Sequence, residues 1–271
     1  MKLISPAKLN LFFRVLKKRE DGFHEIASLM QAIALYDTLE IALASEDSLT
    51  CNHPDIPLDE RNFIIKARTL FREKTGFDHP LSIHVDKNIP AEGGFGGGSG
   101  NLATTLYAMN QLSKLSIDEE TLRTWAGDLS SDAPFFFSSG TAFATGRGEK
   151  VASLPPLPSC ALYLAKPKGK GLSTPLVYQH CTPNVHPTAP KILLRKNLWG
   201  MNDLEFPAFA LRPDLKEVKK TLLDLGFQTV AMTGSGTGFF CIGDMEPPLM
   251  QGIQFWKTTF LSREEGQWYV V

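Results

Sequence analysis

Cysteine is scarce, neither sign of charge prevails, and no apolar run is long enough to cross a bilayer; each shortage excludes a class of function. Cys51, Cys160, Cys181 and Cys241 stand far apart with no C-x-x-C pair. That scatter excludes a dense disulfide framework and fits reduced thiols in the cytosol. With 28 Lys+Arg against 29 Asp+Glu the formal net charge is −1, so no global field draws nucleic acid or an anionic membrane. An anionic ligand must be met by local positive groups. The opening run MKLISPAKLNLFFRV is broken by Lys8, Asn10 and Arg14, which makes it a poor signal peptide. The expectation is a cytoplasmic protein without nucleic-acid or membrane partners. At 271 residues the chain suits one large domain or two lobes enclosing a core and a cleft.

Against these shortages stands one abundance. Residues 90–101 read PAEGGFGGGSGN and run straight into the helical pattern LATTLYAMNQL. Glycines let successive backbone N–H groups converge on one anion, and a following helix adds the positive end of its dipole. A Walker loop would place Lys-Ser or Lys-Thr after its second fixed glycine, but Ser99 and Gly100 follow Gly98. A dinucleotide fingerprint fits weakly as Gly98, Gly100 and Ala103 with Asp118 downstream, because Lys87 to Glu92 separate it from any preceding strand. A plain flexible turn is the remaining alternative for this segment taken alone.

Around the loop the chain alternates strand and helix signals. Ala7, Leu9, Leu11, Phe13 and Val15 have a period of two and predict a strand on which Lys8 and Asn10 share a face. Further strands are expected at Leu39–Leu43 and Leu81–Val85, with a helix from about Asn62 to Thr75 closed by Gly76. Ser116 and Glu119 have the spacing of a capping box for a helix reaching about Ala126, followed by SSDAPFFF and the strand-like GTAFATG. Proline-rich LPPLPS, 154–159, divides the chain into lobes of 1–155 and 156–271. The second lobe should contain a strand at Ala161–Ala165, a short helix capped by Thr174 with Pro175 next, a loop at Thr182–Pro190 and a helix from Pro213 to Gly226. Two last strands, FQTVAM and TGFFCI, flank a second glycine turn, Thr233 to Gly238.

Three segments, SPAKLNLFF, PAEGGFGGGSGN and MTGSGTGFF, in that order, together resemble the kinases named for galactose, homoserine, mevalonate and phosphomevalonate, the GHMP superfamily. Within it, PAKLNLF, DGFHEIASLMQAIALYDTL and SSDAPFFF carry a finer similarity to the kinases acting on 4-diphosphocytidyl-2-C-methyl-D-erythritol in the non-mevalonate route to isoprenoids. The resemblance covers essentially the whole chain, with little to align from Cys181 to Arg212. It implies an α/β, two-lobe fold: an N-terminal ATP-binding lobe like domain 2 of ribosomal protein S5, and a ferredoxin-like C-terminal lobe, with the site between them. The implied activity is transfer of the ATP γ-phosphate to the acceptor's 2-hydroxyl, with Mg2+ accompanying ATP and its ligands left open.

By the same resemblance, Asp132 is the general base and Lys8 its partner. Spacing alone equally allows Asp132 to cap a helix and Lys8 to rest its ammonium at a strand edge. Pro90, Gly93, Gly94, Gly96, Gly97, Gly98, Ser99 and Gly100 would form the ATP phosphate cradle, Asn62 and Lys87 would lie near the adenine, and Phe95 reads as a packing residue. Asn10 would contact the acceptor or the catalytic pair. Phe23, His24, Tyr178 and Thr174 would receive the cytidine, with Phe23 and Tyr178 as opposite faces of an aromatic sandwich and His24 reading the base edge. Core burial is the alternative for the two rings, and a structural role for His24. Three residues depart from the family pattern: Phe23 where tyrosine is frequent, Glu92 where the loop usually has glycine, and Gly100 in place of the second serine of GGGSSN. A carboxylate at 92 must turn away from phosphate. Ser99 is left as the loop's only serine, and Gly100→Ser is expected to be tolerated unless Gly100 needs a positive φ.

Overall fold

In the computed structural model, which describes residues 1–183 and 199–270, the alternating run at the start of the chain becomes strand β1 (Lys2–Lys18). It pairs antiparallel with β2 (His24–Leu43) along most of its length, with register shifts between Pro6 and Ala7 and between Asn10 and Phe12. β2 also pairs with β4 (Leu81–Asp86) and β5 (Thr141–Thr145), while β3 (Ser48–Cys51) lies parallel to β4 and β6 (Lys150–Ser153) pairs with β5. A two-residue strand from the second half of the chain, β8 (Met201–Asn202), lies parallel to β1. Together these form the first sheet. Of the loop expected at Thr182–Pro190, everything beyond 183 lies outside the described residues.

Helices cover one face of that sheet. α1 (Phe63–Thr75) starts and stops as its residues predict: Asn62 Oδ1 accepts from the Ile64 amide at 2.9 Å, and Gly76 closes the helix in the left-handed region. α2 (Gly97–Ser113) follows the glycine loop. α3 (Glu119–Leu129) corrects the capping-box reading, because its cap is Asp118, whose Oδ1 accepts from the Thr121 amide at 2.8 Å, and not Ser116. Asn110 holds both the N–H and the C=O of Ile117, at 2.9 and 2.8 Å, which leaves Ser116 at φ 54, outside the helix start. Beyond α3 the residues Ala133–Phe137 form a 3-10 turn.

The second sheet has the order β11-β7-β10-β9, built from β7 (Leu162–Pro167), β9 (Thr229–Met232), β10 (Phe239–Ile242) and β11 (Ile253–Thr258), all antiparallel. It is accompanied by α4 (Thr174–Gln179), α5 (Glu205–Leu211) and α6 (Asp214–Asp224). Ser173, not Thr174, occupies the cap position of α4, one residue earlier than expected. Ala7, Leu9 and Leu11 pack in one buried cluster with Leu162, Leu164 and Phe240, so the first strand of one sheet forms the floor of the other. We propose that the chain passes between lobes at 154–159, residues outside any helix or strand. Among the described residues no helix is long and apolar enough to cross a membrane.

The start of α2 presses against β1 hard enough to explain one departure from the family pattern. A Cβ on Gly100 would lie 2.8 Å from Ser5 Oγ and 2.9 Å from the Pro6 carbonyl oxygen. Gly100 does not use positive φ, yet the backbone oxygen leaves no room, which overturns the expectation that serine would be accommodated. We expect Gly100→Ser to destabilise the protein by about 1–3 kcal/mol, the usual range for overpacking, measured as a lower urea midpoint with unchanged m.

Candidate active site

Lys8 and Asn10 share a strand face, as their spacing requires, and that face is buried. Lys8 Nζ donates to Asn10 Oδ1 at 2.6 Å and lies 3.2 Å from Asp132 Oδ2. Asn10 is itself fixed: its Nδ2 donates to Ser28 Oγ at 2.9 Å, and its backbone N–H donates to Thr233 Oγ1 at 2.9 Å. The Lys8 side chain is 4% exposed and that of Asp132 40%. The cost of enclosing a cation this far is offset by a carboxylate and an amide oxygen at hydrogen-bonding distance, while the carboxylate stays 40% exposed. Neither local alternative is realised. Asp132 stands at the cap position of the 3-10 turn without a side-chain capping bond, and the Lys8 ammonium is inside the protein.

The glycine loop wraps the other side of Lys8. Lys8 N–H donates to the Phe95 carbonyl at 2.8 Å, and Phe95 is buried as a packing residue. Gly94 and Gly96 take positive φ, 81 and 74, which side chains resist. A Cβ at Gly94 would stand 2.2 Å from the Thr233 carbonyl oxygen, and one at Gly96 2.7 Å from Lys8 Cγ. The second glycine turn grips the loop through Gly238 N–H to Gly93 O at 3.0 Å and Thr237 N–H to Glu92 O at 3.3 Å. Glu92 meets its condition by turning its carboxylate to accept from the Gly171 amide at 2.7 Å. α2 begins without a side-chain cap and without an acidic residue in its first turn, so its first N–H groups are available to an anion. Ser99 Oγ shares a hydrogen bond with Ser130 Oγ at 2.8 Å.

Two clefts meet over this loop, sharing Gly94, Gly96 and Thr174. The first, about 470 Å³, is lined by Asn62, Lys87, Pro90, Gly93, Gly97, Gly98 and Ser99 among others, and it has the peptide-rich wall expected of a phosphate site. Gly100 does not line it. Asn62 is engaged as the α1 cap, and Lys87 is bound to Asp37, a fully buried carboxylate that also accepts from the amides of Asn88 and Ile89. Asn101, absent from the sequence expectations, also lines it, with its Oδ1 buried and unpartnered.

The second cleft, about 620 Å³, is lined by Lys8, Asn10 and Asp132 and also by Phe23, His24 and Tyr178. The rings are arranged differently from the sandwich expected. Tyr178 stacks on His24, centroids 5.0 Å apart at 28°, while Phe23, 51% exposed, carries the Arg147 guanidinium 4.8 Å from its centroid. Phe23 is therefore no core residue. Burial first, and then the nearby Lys18 ammonium, push the His24 pKa below its ordinary value. Burial, with the Asp132 charge second, raises that of Tyr178. Thr174 Oγ1 shares a hydrogen bond with Ser235 Oγ at 2.7 Å across the cleft mouth. Sequence reasoning missed Arg147, Lys18, Ser130 and Ser235. Arg147 lies in a TGRGE turn whose glycines signal a reversal but not the direction of its side chain.

Gly94→Ala should separate loop from turn. We expect it to weaken nucleotide binding at least tenfold and to lower stability by about 1–3 kcal/mol, read by titration calorimetry with ATP and by thermal melting.

Comparisons with known proteins identify the family. The family model for the GHMP kinases N terminal domain matches residues 62–140. The chain is 46% identical over 272 residues to the 4-diphosphocytidyl-2-C-methyl-D-erythritol kinase of Protochlamydia amoebophila (strain UWE25), covering 99% of this chain and 93% of that one. It is 40% identical to the chloroplastic enzyme of that name from Arabidopsis thaliana, covering 99% of this chain and 76% of that one. A crystal structure of 4-(cytidine 5'-diphospho)-2C-methyl-D-erythritol kinase superposes with a TM-score of 0.80 at 31% identity, covering 96% and 99% of the two chains. With relatives at this identity over nearly its full length, the chain belongs to the 4-diphosphocytidyl-2-C-methyl-D-erythritol kinase family of GHMP kinases.

Proposed function

We propose that this protein transfers the γ-phosphoryl group of ATP to the 2-hydroxyl of 4-diphosphocytidyl-2-C-methyl-D-erythritol in isoprenoid precursor synthesis, with Asp132 as general base. The observation that carries the residue assignment is the 3.2 Å Lys8–Asp132 pair in the acceptor cleft. Phosphoryl transfer needs two reactants held in line, phosphate charge met by fixed dipoles, and an acceptor for the hydroxyl proton. The amides at the start of α2 would meet the phosphates. Asp132 would take the proton on the oxygen that faces the cleft, and Lys8 would hold that carboxylate in place while offering positive charge to the group in transit.

The fit to magnesium is one of small oxygen ligands. Among the described residues no three His, Cys, Asp or Glu side chains converge; we propose that the paired hydroxyls of Ser99 and Ser130 would help to hold a Mg2+ ion brought by ATP. Bound there, it would neutralise phosphate charge. For the cytosine, a neutral His24 has one donor and one acceptor nitrogen to read the base edge. The His24 and Tyr178 rings, stacked at 5.0 Å, leave no gap for a third ring between them, so a base would stack on an outer face of the pair. A cytoplasmic location belongs to the proposal and is supported by four free cysteines.

ADP release on addition of ATP, magnesium and the acceptor tests the reaction. Asp132→Asn should fold and bind ATP yet lose ~10²–10⁴ in kcat, the usual range for a lost general base. Lys8→Ala should also suppress turnover, and the double variant should be little worse than either single one; cleanly multiplying defects would assign the two residues separate roles.

The acceptor should be read as a cytidine. A uridine counterpart should raise KM far more than it changes kcat, and equal use of both would point to a different substrate. Because His24 is held below its ordinary 6.5, it stays neutral at pH 7 and loses its acceptor nitrogen only as pH falls through that lowered value. Acceptor KM should therefore rise on acidification below about pH 6.5 while ATP KM holds, and the rise should vanish in His24→Gln.

A further inference from the structure

We infer that Arg263 is a positioning residue for phosphoryl transfer, bracing the hairpin of α3 and the 3-10 turn whose apex carries Asp132; this rests on the proposed role of Asp132 as base. Arg263 is remote in sequence from every motif described above, and its side chain is 2% exposed. Its five guanidinium N–H groups are matched by five hydrogen bonds. Nη1 and Nη2 each donate to one carboxylate oxygen of Glu119 at 2.8 Å, Nη2 also donates to Phe137 O at 2.6 Å, Nε donates to Ser138 O at 2.8 Å, and Nη1 donates to Gln267 O at 2.5 Å.

The partners define the function. Glu119 is the first residue of α3, and Phe137 and Ser138 close the 3-10 turn. One cation therefore ties together the two ends of a segment whose middle is Ser130, Ser131 and Asp132, all of which face the acceptor cleft. The stretch that carries Arg263 also holds β1, the strand of Lys8. Trp268 Nε1 donates to Ile4 O at 2.8 Å, and its ring stands edge-on to Phe137 at 5.5 Å. Both members of the catalytic pair thus sit on elements fastened to the same stretch.

Asp132 has no capping bond to its own turn and is paired with Lys8 across the cleft floor, so the hairpin backbone sets where its carboxylate stands. Stability by itself gives little reason for an arginine here, since well-packed apolar groups often replace a buried ion pair at no loss. A planar, directional fork is what geometry requires. Misplacing a catalytic group by about 1 Å can cost ~10²-fold.

The test compares Arg263→Ala, Arg263→Lys and Glu119→Gln, each alone and combined with Asp132→Asn. Folding is checked by circular dichroism and melting, and kcat and KM are measured for ATP and the acceptor, with single-turnover kinetics for the slow variants. Arg263→Ala should lower kcat about 10- to 100-fold and leave both KM values near wild type. Arg263→Lys should lose less than alanine, because it keeps a cation beside Glu119, yet stay below wild type, because an ammonium cannot reach all five acceptors. In the Asp132→Asn background the same changes should cost nothing further, as expected for a residue acting through Asp132. If Arg263→Ala does not fold, the lysine and Glu119→Gln variants decide by the same comparison. Unchanged kcat in the folded variants, or an equal fold-loss with and without Asp132, overturns the inference. Full turnover by Asp132→Asn alone instead overturns the base assignment, and the bracing role with it.

Discussion

The enclosed ammonium of Lys8 is the constraint on which the rest of the site depends. An ammonium so far from solvent is costly unless each donor finds a partner, and no single stretch of chain supplies those partners. Asn10 comes from two residues along the same strand, and Asp132 comes from the hairpin beyond α3. Thr233, from the second lobe, receives the Asn10 amide and donates to its side-chain oxygen at 3.3 Å. For all three to meet, β1 must run between the lobes with its apolar face on the second sheet, which is where Ala7, Leu9 and Leu11 are found. The second half of the chain reaches Lys8 only through Asn10, whose amide and side-chain oxygen Thr233 engages.

Docking also shapes the nucleotide cleft. The glycine loop and the Thr233–Gly238 turn approach so closely that side chains are excluded from both: a Cβ on Gly236 would lie 2.2 Å from the Gly94 amide nitrogen, and one on Gly238 2.6 Å from the Gly93 carbonyl oxygen. Conformational freedom at Gly94 and Gly96 lets the backbone follow this path. Glu92 is the one acidic departure in the loop, and its carboxylate is taken by Gly171, which adds a further tie between lobes and directs negative charge away from the phosphate site. The path of the loop is set by its contacts with the Thr233–Gly238 turn.

The acceptor cleft is built on different terms. Around His24 and Tyr178 it relies on rings and on a histidine whose pKa burial lowers, chemistry that discriminates by shape and hydrogen-bond pattern. Around Lys8 and Asp132 it relies on charge. Arg147 and Lys18 also line this cleft, Arg147 over the Phe23 ring and Lys18 close enough to His24 to lower its pKa, the local positive groups that a chain of net charge −1 must provide for an anionic ligand.

Much of this was legible in the sequence because it depends on neighbours along the chain. The period-two run is β1, the glycine cluster opens α2, Asn62 and Gly76 bound α1, and three ordered motifs identified the family. Where two local signals competed, sequence reading failed: Ser116 had the capping-box spacing, but Asn110, packed from the preceding helix, held Ile117 and passed the cap to Asp118. The tertiary structure alone decided that Tyr178 faces His24 rather than Phe23, that Gly100 has no space for a side chain, and that Arg263 reaches Glu119, Phe137 and Ser138. Periodicity and turn chemistry are written in residues a few positions apart. Which surfaces press together, and how much room is left between them, is set by burial of apolar area summed over the whole chain, and no local pattern records it.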